Sequence, residues 1–287
     1  MSGGSRMNIL LWSTIAVLAA VGGAAALLLL RPRNPLRFTY ATGPLPDATY
    51  EALAARPGWR KWSVRLSDGV VLNGLVRRPS QPDAPWVLFY PGNDPAQLTT
   101  GQQAVETMIA GEPWGGAVIS YRGFDGSGGT PHIDALRRDG LEIFDALISA
   151  EHLQPAQVHL AAFSIGGNIA SHLTSQLAAR NTPAASLSLM ASVYDIAMIR
   201  PSWYARLDPG DDLKTGPDLA GVPAPVLVLQ GSADEALVGN VQGKAIAAAL
   251  GAKAEYVELP GVGHVALLFN ADALSQVHRF VAAHLRK

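Results

Sequence analysis

The chain contains no cysteine. That absence excludes disulfides, thiolate metal sites, iron–sulfur clusters and a cysteine nucleophile, and leaves either redox compartment open. Charge is also scarce. Asp, Glu, Lys and Arg make up 16% of the 287 residues, against about 25% in a typical soluble domain. Hydrophobic residues make up 48%, enough apolar surface to argue against disorder and to direct attention to a membrane segment. The 22 basic residues are balanced by 23 acidic ones. No cationic excess is available to neutralise a run of phosphates, so no nucleic-acid partner is expected. No two of the seven histidines have the spacing that places a metal pair on one helix face. No repeat or low-complexity block follows the first 30 residues. At about 100–200 residues per domain, the length allows one large domain or two small ones.

One long apolar run is present. Residues 8–30, 23 in all, carry no charged side chain and end abruptly at Arg31-Pro32-Arg33. A helix of that length spans about 34 Å, enough to cross a hydrocarbon core of about 30 Å. The run is expected to be a transmembrane signal-anchor. A cleaved signal peptide, with its shorter apolar region, is the rival reading. One arginine precedes the span and Arg31, Arg33 and Arg37 follow it, so the positive-inside rule leaves the C-terminal part facing the cytoplasm. Residues 31–60 read as a linker, because Pro32, Pro35, Pro44, Pro46 and Pro57 remove backbone donors that helix and sheet need. One short helix is expected within it, over 47–55.

Residues 61–287 read as a single α/β domain. The segments 62–66 and 70–76 flank Ser67-Asp68-Gly69, an Asp-Gly hairpin signal. Six further strands are expected at 86–90, 117–121, 158–162, 186–190, 225–229 and 254–259. Most are nearly continuous apolar runs, as parallel strands covered on both faces should be. Helices are expected near 97–110, 134–150, 166–180, 240–250 and 272–285. This alternation predicts an eight-stranded, mostly parallel sheet with helices on both faces, its first two strands antiparallel. The stretch 195–224, between the sixth and seventh strands, lacks a clear strand and is expected to be a short lid. It carries Trp203, Tyr204, Leu207, Asp208, Asp211 and Asp212.

The fifth strand runs into Ala162-Phe-Ser-Ile-Gly-Gly167 and a helix follows at once. A nucleophile elbow has this layout: a sharp strand-to-helix turn with small residues two before and two after the serine. Ser164 is the candidate nucleophile. A serine needs a base, and His264, in the loop Leu259-Pro-Gly-Val-Gly-His264 after the last strand, sits at the sheet edge where open α/β sheets place their sites. The base needs an acid to fix its tautomer. Asp234, after the seventh strand, is the candidate, and Asp195 and Glu235 are alternatives. The order Ser164, Asp234, His264 is that of α/β-hydrolase triads. The backbone N–H groups of Ile165, directly after the serine, and of Asn93, in the Pro91-Gly92-Asn93 loop after the third strand, are the candidate oxyanion hole.

With those residues assembled, the chain resembles the α/β-hydrolase superfamily over about residues 60–285. Within it, the chain is similar to the membrane-anchored serine hydrolases of the Bem46 and ABHD12/13-like type. The carrying pieces are Pro91-Gly-Asn93, Tyr121-Arg-Gly-Phe-Asp-Gly-Ser-Gly-Gly-Thr-Pro131, Ala162-Phe-Ser-Ile-Gly166, Gly231-Ser-Ala-Asp234 and Gly261-Val-Gly-His264. Arg122 in the glycine-rich piece is read as a brace to a carboxylate or as a surface ion pair. Two departures stand out: Ala162 where a glycine is usual, and Gln230 where a histidine is common. The resemblance implies a serine hydrolase of carboxylic esters, esterase-, lipase- or thioesterase-like, with a small-molecule or lipid ester as partner and no cofactor. A peptidase or amidase on the same triad is one alternative. A non-catalytic, membrane-tethered binding module is the other.

Overall fold

A computed structural model describes residues 39–199, 213–223 and 225–285. The expected anchor at 8–30 lies outside these residues, as do Trp203, Tyr204, Leu207, Asp208, Asp211 and Asp212 of the expected lid. Among the described residues no helix is long and apolar enough to cross a membrane.

The strands are β1 (Trp59–Arg65), β2 (Val71–Arg77), β3 (Trp86–Tyr90), β4 (Gly115–Ile119), β5 (Val158–Phe163), β6 (Ser186–Met190), β7 (Val226–Gly231) and β8 (Ala254–Leu259). The described α-helices are α1 (Asp47–Ala54), α2 (Gln97–Met108), α3 (Ile133–Glu151), α4 (Gly166–Ala179), α5 (Gly216–Leu219), α6 (Val241–Leu250), α7 (His264–Phe269) and α8 (Ala271–Ala283).

All eight strands join one sheet in the order β1-β2-β4-β3-β5-β6-β7-β8. β2 pairs antiparallel with both β1 and β4, and the remaining pairs are parallel. Strands β3 to β7 are buried at every position, which matches their continuous apolar sequence. Edge strand β1 alternates instead, with Arg60, Lys61, Ser63 and Arg65 exposed, charges that keep an open edge from pairing further.

Two helix layers cover the sheet. Gly101 of α2 packs against Phe89, and Gly140 of α3 against Ile169 and Tyr90. Phe89 and Tyr90 are consecutive strand residues and point to opposite faces, so α2 and α3 lie on opposite sides. α8 packs with α2 and α7, while α4 packs with α3 and α5.

Three differences from the sequence expectation have local causes. β4 begins at Gly115 rather than residue 117. A Cβ at Gly115 would come within 2.4 Å of the Trp86 ring and one at Gly116 within 2.6 Å of Val105, so strand positions that must be glycine carry no apolar signal. β1 begins at Trp59 because Gly58, at φ +80, turns the chain straight out of the α1 region. α7 follows the 259–264 loop where no helix is expected; Gly263 starts it and Asn270 ends it by capping α8, its Oδ1 accepting from Ala273 N at 2.9 Å.

From β3 the chain passes to β4 on one side and then to β5 on the other. The crevice at the C-terminal ends of β3 and β5 is therefore a topological switch point, where α/β sheets bind ligands.

Candidate active site

β5 delivers Ser164 to that crevice in a left-handed backbone conformation, φ +53. For a non-glycine residue this costs roughly 1–2 kcal/mol, a strain that clusters at functional sites. The turn is held from both sides: Ser164 N donates to Met190 O at 2.9 Å and Gly167 N to Ser164 O at 3.1 Å. Gly166 is dictated by a close approach. A Cβ there would lie 2.2 Å from Tyr90 O and 2.5 Å from Pro91 O. Ala162, the departure from the usual glycine, is fully buried within β5, and the turn forms with its methyl present.

The β7 and β8 loops are laced together. Ala233 N donates to Val262 O at 3.1 Å, Ser232 N to Leu259 O at 3.0 Å and Gly261 N to Ser232 Oγ at 2.9 Å. A Cβ on Gly231 would meet Val262 O at 2.1 Å, so only glycine lets the loops approach this closely. This lacing brings Asp234 to His264, the first residue of α7. Asp234 Oδ2 lies 2.8 Å from His264 Nδ1, and His264 Nε2 lies 3.1 Å from Ser164 Oγ. With the carboxylate accepting at Nδ1, the neutral ring carries its proton there and turns the Nε2 lone pair toward the serine. The ring also tilts over Phe163, with centroids 4.9 Å apart. Ser164 and His264 are 8% and 9% exposed and Asp234 is 1% exposed, so the chain of polar groups runs from the crevice into the interior.

Asp234 is held by more than the imidazole. Its Oδ1 accepts from Ala236 N at 3.0 Å and Leu237 N at 2.8 Å, and its Oδ2 also accepts from Gln230 Nε2 at 2.8 Å. Gln230, noticed in the sequence only as a departure, is thus a buried support of the Asp234 carboxylate. The alternative acids are placed otherwise. Asp195 Oδ1 accepts from Ala197 N at 2.8 Å, and its backbone bridges to Lys214. Glu235 Oε2 receives the backbone N–H of His264 at 3.3 Å rather than its ring.

The β3 loop runs beside the serine: a Cβ on Gly92 would lie 3.3 Å from Ser164 Cβ and 2.7 Å from the Phe163 ring. Asn93 Oδ1 accepts from Ala41 N at 2.7 Å, tying this loop to a segment the sequence presented as linker. Ile165 is the N-cap of α4, where helix geometry leaves N–H groups without intrahelical acceptors.

The glycine-rich piece after β4 is braced by Arg122, which forks onto Asp139 of α3 (Nε–Oδ2 2.6 Å, Nη2–Oδ1 2.5 Å) and reaches Asp68 at 3.0 Å. The hydrogen bond to Asp139 raises the guanidinium pKa further, while burial pushes the Asp139 carboxyl up. In the same piece Asp125 accepts from Leu98 N at 2.7 Å and caps α2; burial raises its pKa to about 6. Among the described residues no three His, Asp or Glu side chains are gathered to hold a metal ion. A groove of about 570 Å³ lined by Arg78, Asp83, Glu151 and His152 opens where β3 and β5 begin, the opposite end of the sheet from Ser164. Of the expected lid, a 3-10 turn at Ile196–Ile199 and α5 are described.

No family model matches the chain. It is 27% identical over 274 residues to an uncharacterized protein of Mycobacterium tuberculosis, Rv2307c, covering 93% of each chain. An α/β hydrolase from Vibrio vulnificus superposes with a TM-score of 0.70 at 17% identity, over 85% of this chain and 89% of that one. An esterase from Pyrococcus furiosus, Pf2001, superposes with a TM-score of 0.64 at 15% identity, over 86% of this chain and all of that one. The architecture that carries Ser164, Asp234 and His264 is the α/β-hydrolase fold.

Proposed function

We propose that this chain is a serine hydrolase that cleaves carboxylic esters through an acyl-enzyme. The observation that carries the reading is the unbroken chain Ser164 Oγ, His264 Nε2, His264 Nδ1, Asp234 Oδ2, with steps of 3.1 and 2.8 Å and the serine on a strained turn at a sheet switch point. Ser164 attacks the acyl carbon while His264 takes its proton, and Asp234 stabilises the imidazolium. The N–H groups of Ile165 and Asn93 receive the oxyanion. His264 returns the proton to the leaving alkoxide, and water, activated by the same histidine, cleaves the acyl-enzyme. The esterase name of the Pyrococcus relative favours an ester over an amide, and no cofactor enters this scheme.

The test is labelling by a fluorophosphonate probe, together with hydrolysis of p-nitrophenyl esters of rising chain length. The wild type is expected to label and turn over, and Ser164→Ala to do neither. A folded wild type that takes no label would overturn the assignment and favour the tethered binding module.

The apolar run at 8–30 adds the Bem46 and ABHD12/13-like feature to the proposal: a membrane anchor, with the hydrolase domain on the cytoplasmic side and 195–224 as its lid. Deletion of residues 1–33 should release the protein from membranes. Continued sedimentation with the membrane fraction would refute the anchor.

A further inference from the structure

The loop that should supply Asn93 N–H is held by a buried side chain outside the triad. Gln97, at the first turn of α2, is fully buried. A buried carboxamide is tolerated only where its polar atoms are paired. Its Nε2 donates to Gly92 O at 2.8 Å, and its Oε1 accepts from the backbone N–H of Tyr121 at 2.9 Å. The orientation of the amide is dictated by chemistry. The Tyr121 N–H can only donate, so the carboxamide oxygen faces it and the NH2 faces the Gly92 carbonyl.

This contact has a consequence at the next atom along the chain. The peptide unit between Gly92 and Asn93 is planar and trans, so its C=O and N–H point in opposite directions. Pinning Gly92 O toward α2 therefore aims Asn93 N–H the other way. Asp94 N, 3.0 Å from Gly92 O, adds a second donor to the same carbonyl. Gly92 lacks a Cβ and sits against Ser164 and Phe163, which leaves that peptide free to rotate unless something restrains it. A matching restraint acts one peptide earlier, where Tyr121 Oη donates to Pro91 O at 2.9 Å. Gln97 and Tyr121 thus link the loops after β3 and β4 on the side of the peptide away from the nucleophile.

We infer that Gln97 is a positioning residue for the oxyanion site: its buried carboxamide fixes the Gly92–Asn93 peptide plane so that Asn93 N–H faces the tetrahedral oxygen formed on Ser164. The inference rests on the serine-hydrolase reading above and deepens it.

Gln97→Glu tests it with little change of shape. The carboxylate still accepts from Tyr121 N–H but cannot donate to Gly92 O. At pH 8 kcat is expected to fall about 10²–10³-fold, the loss typical of a missing oxyanion donor, with KM within about threefold. Lowering the pH protonates the glutamate and restores a donor, so the variant-to-wild-type ratio of kcat should rise. Gln97→Met, of similar length, should lose as much kcat with no recovery at low pH. A trifluoromethyl ketone inhibitor, which forms the tetrahedral adduct, should weaken in parallel with kcat/KM. Wild-type kcat in Gln97→Glu would overturn the inference, as would equal pH profiles for the two variants. A measurement on the wild type needs no variant to fold: phosphonylation of Ser164 should shift the Asn93 amide proton resonance. If Ser164 labels and that resonance stays in place, the inference fails while the hydrolase reading survives. If Ser164 does not label, the parent reading fails first.

Discussion

Gly166→Ala isolates one steric demand of the elbow. The new methyl would lie 2.2 Å from Tyr90 O and 2.5 Å from Pro91 O, and a real Cβ essentially never approaches a heavy atom closer than 3.0 Å. Both obstacles are backbone carbonyls, so no side-chain rotation relieves the clash. The elbow and the end of β3 must separate by about 0.8 Å, the difference between 3.0 and 2.2 Å. The two elements that part are those proposed to carry the nucleophile and an oxyanion donor. A misplacement of about 1 Å costs on the order of 100-fold in rate, while overpacking costs roughly 1–3 kcal/mol in stability. The expected result is a folded protein with a modestly lower melting temperature, whose fluorophosphonate labelling rate and ester kcat fall about 100-fold. Gly221→Ala is the control. Its Cβ would meet Ser175 Oγ at 2.4 Å, but Ser175 Cβ is 3.3 Å away, so the hydroxyl can rotate aside and activity should stay within about twofold. A Gly166→Ala protein that labels at the wild-type rate would refute the argument from close approach.

Other perturbations have equally definite outcomes. His159, buried in β5 with Nδ1 2.8 Å from Ser186 Oγ, has its pKa lowered to about 4 by burial and by His284. A depressed folded-state pKa contributes stability that is present above about 6.5 and lost as pH falls toward 4. Urea unfolding at pH 7.5 and 4.5 should therefore show wild type losing about 2–3 kcal/mol more than His159→Asn; equal losses would refute it. Asp125 has the opposite sign, because its raised pKa makes stability fall as pH rises from about 4 to 6; Asp125→Asn should flatten that slope in the same titration. Gln230→Met removes one of four hydrogen bonds to the Asp234 carboxylate, and kcat should fall about tenfold, from roughly 1.5 kcal/mol of lost orientation, with Ser164 still labelled. Truncation before residue 46 removes Ala41 and its bond to Asn93 and should lower kcat at similar KM.

Much of the fold was legible because its signals are local. The inner strands appear as apolar runs, since each is covered on both faces, and Ser67-Asp68-Gly69 marks its hairpin with Gly69 at φ +86. Where the sequence misled, the cause was a contact distant in the chain. Gly115 and Gly116 fall outside the expected strand, yet Trp86 and Val105 demand glycine there within it. The Pro-rich stretch before Trp59 reads as linker, but Ala41 N and Gly43 O bond to Asn93 and Gly126. Gln97 gave no signal, and Gln230 stood out only as a departure from the usual histidine, because a lone glutamine announces neither its burial nor its partners.

The sequence by itself determined the alternation of strand and helix, the small residues around Ser164 and the placement of an acid and a histidine in loops after β7 and β8. Each of these follows from periodicity, side-chain size or turn chemistry within a few residues. It put Asp234 first, with Asp195 and Glu235 as alternatives, but holds no contact that separates them, because all three follow strands at the same sheet edge. Tertiary structure places the three apart. The approach of the β7 and β8 loops at Gly231 brings Asp234, and neither alternative, to the imidazole, across 30 residues of chain. The sheet order then sets His264 against a serine 100 residues earlier. Such contacts depend on strand order and backbone clearance, which no local window of sequence contains.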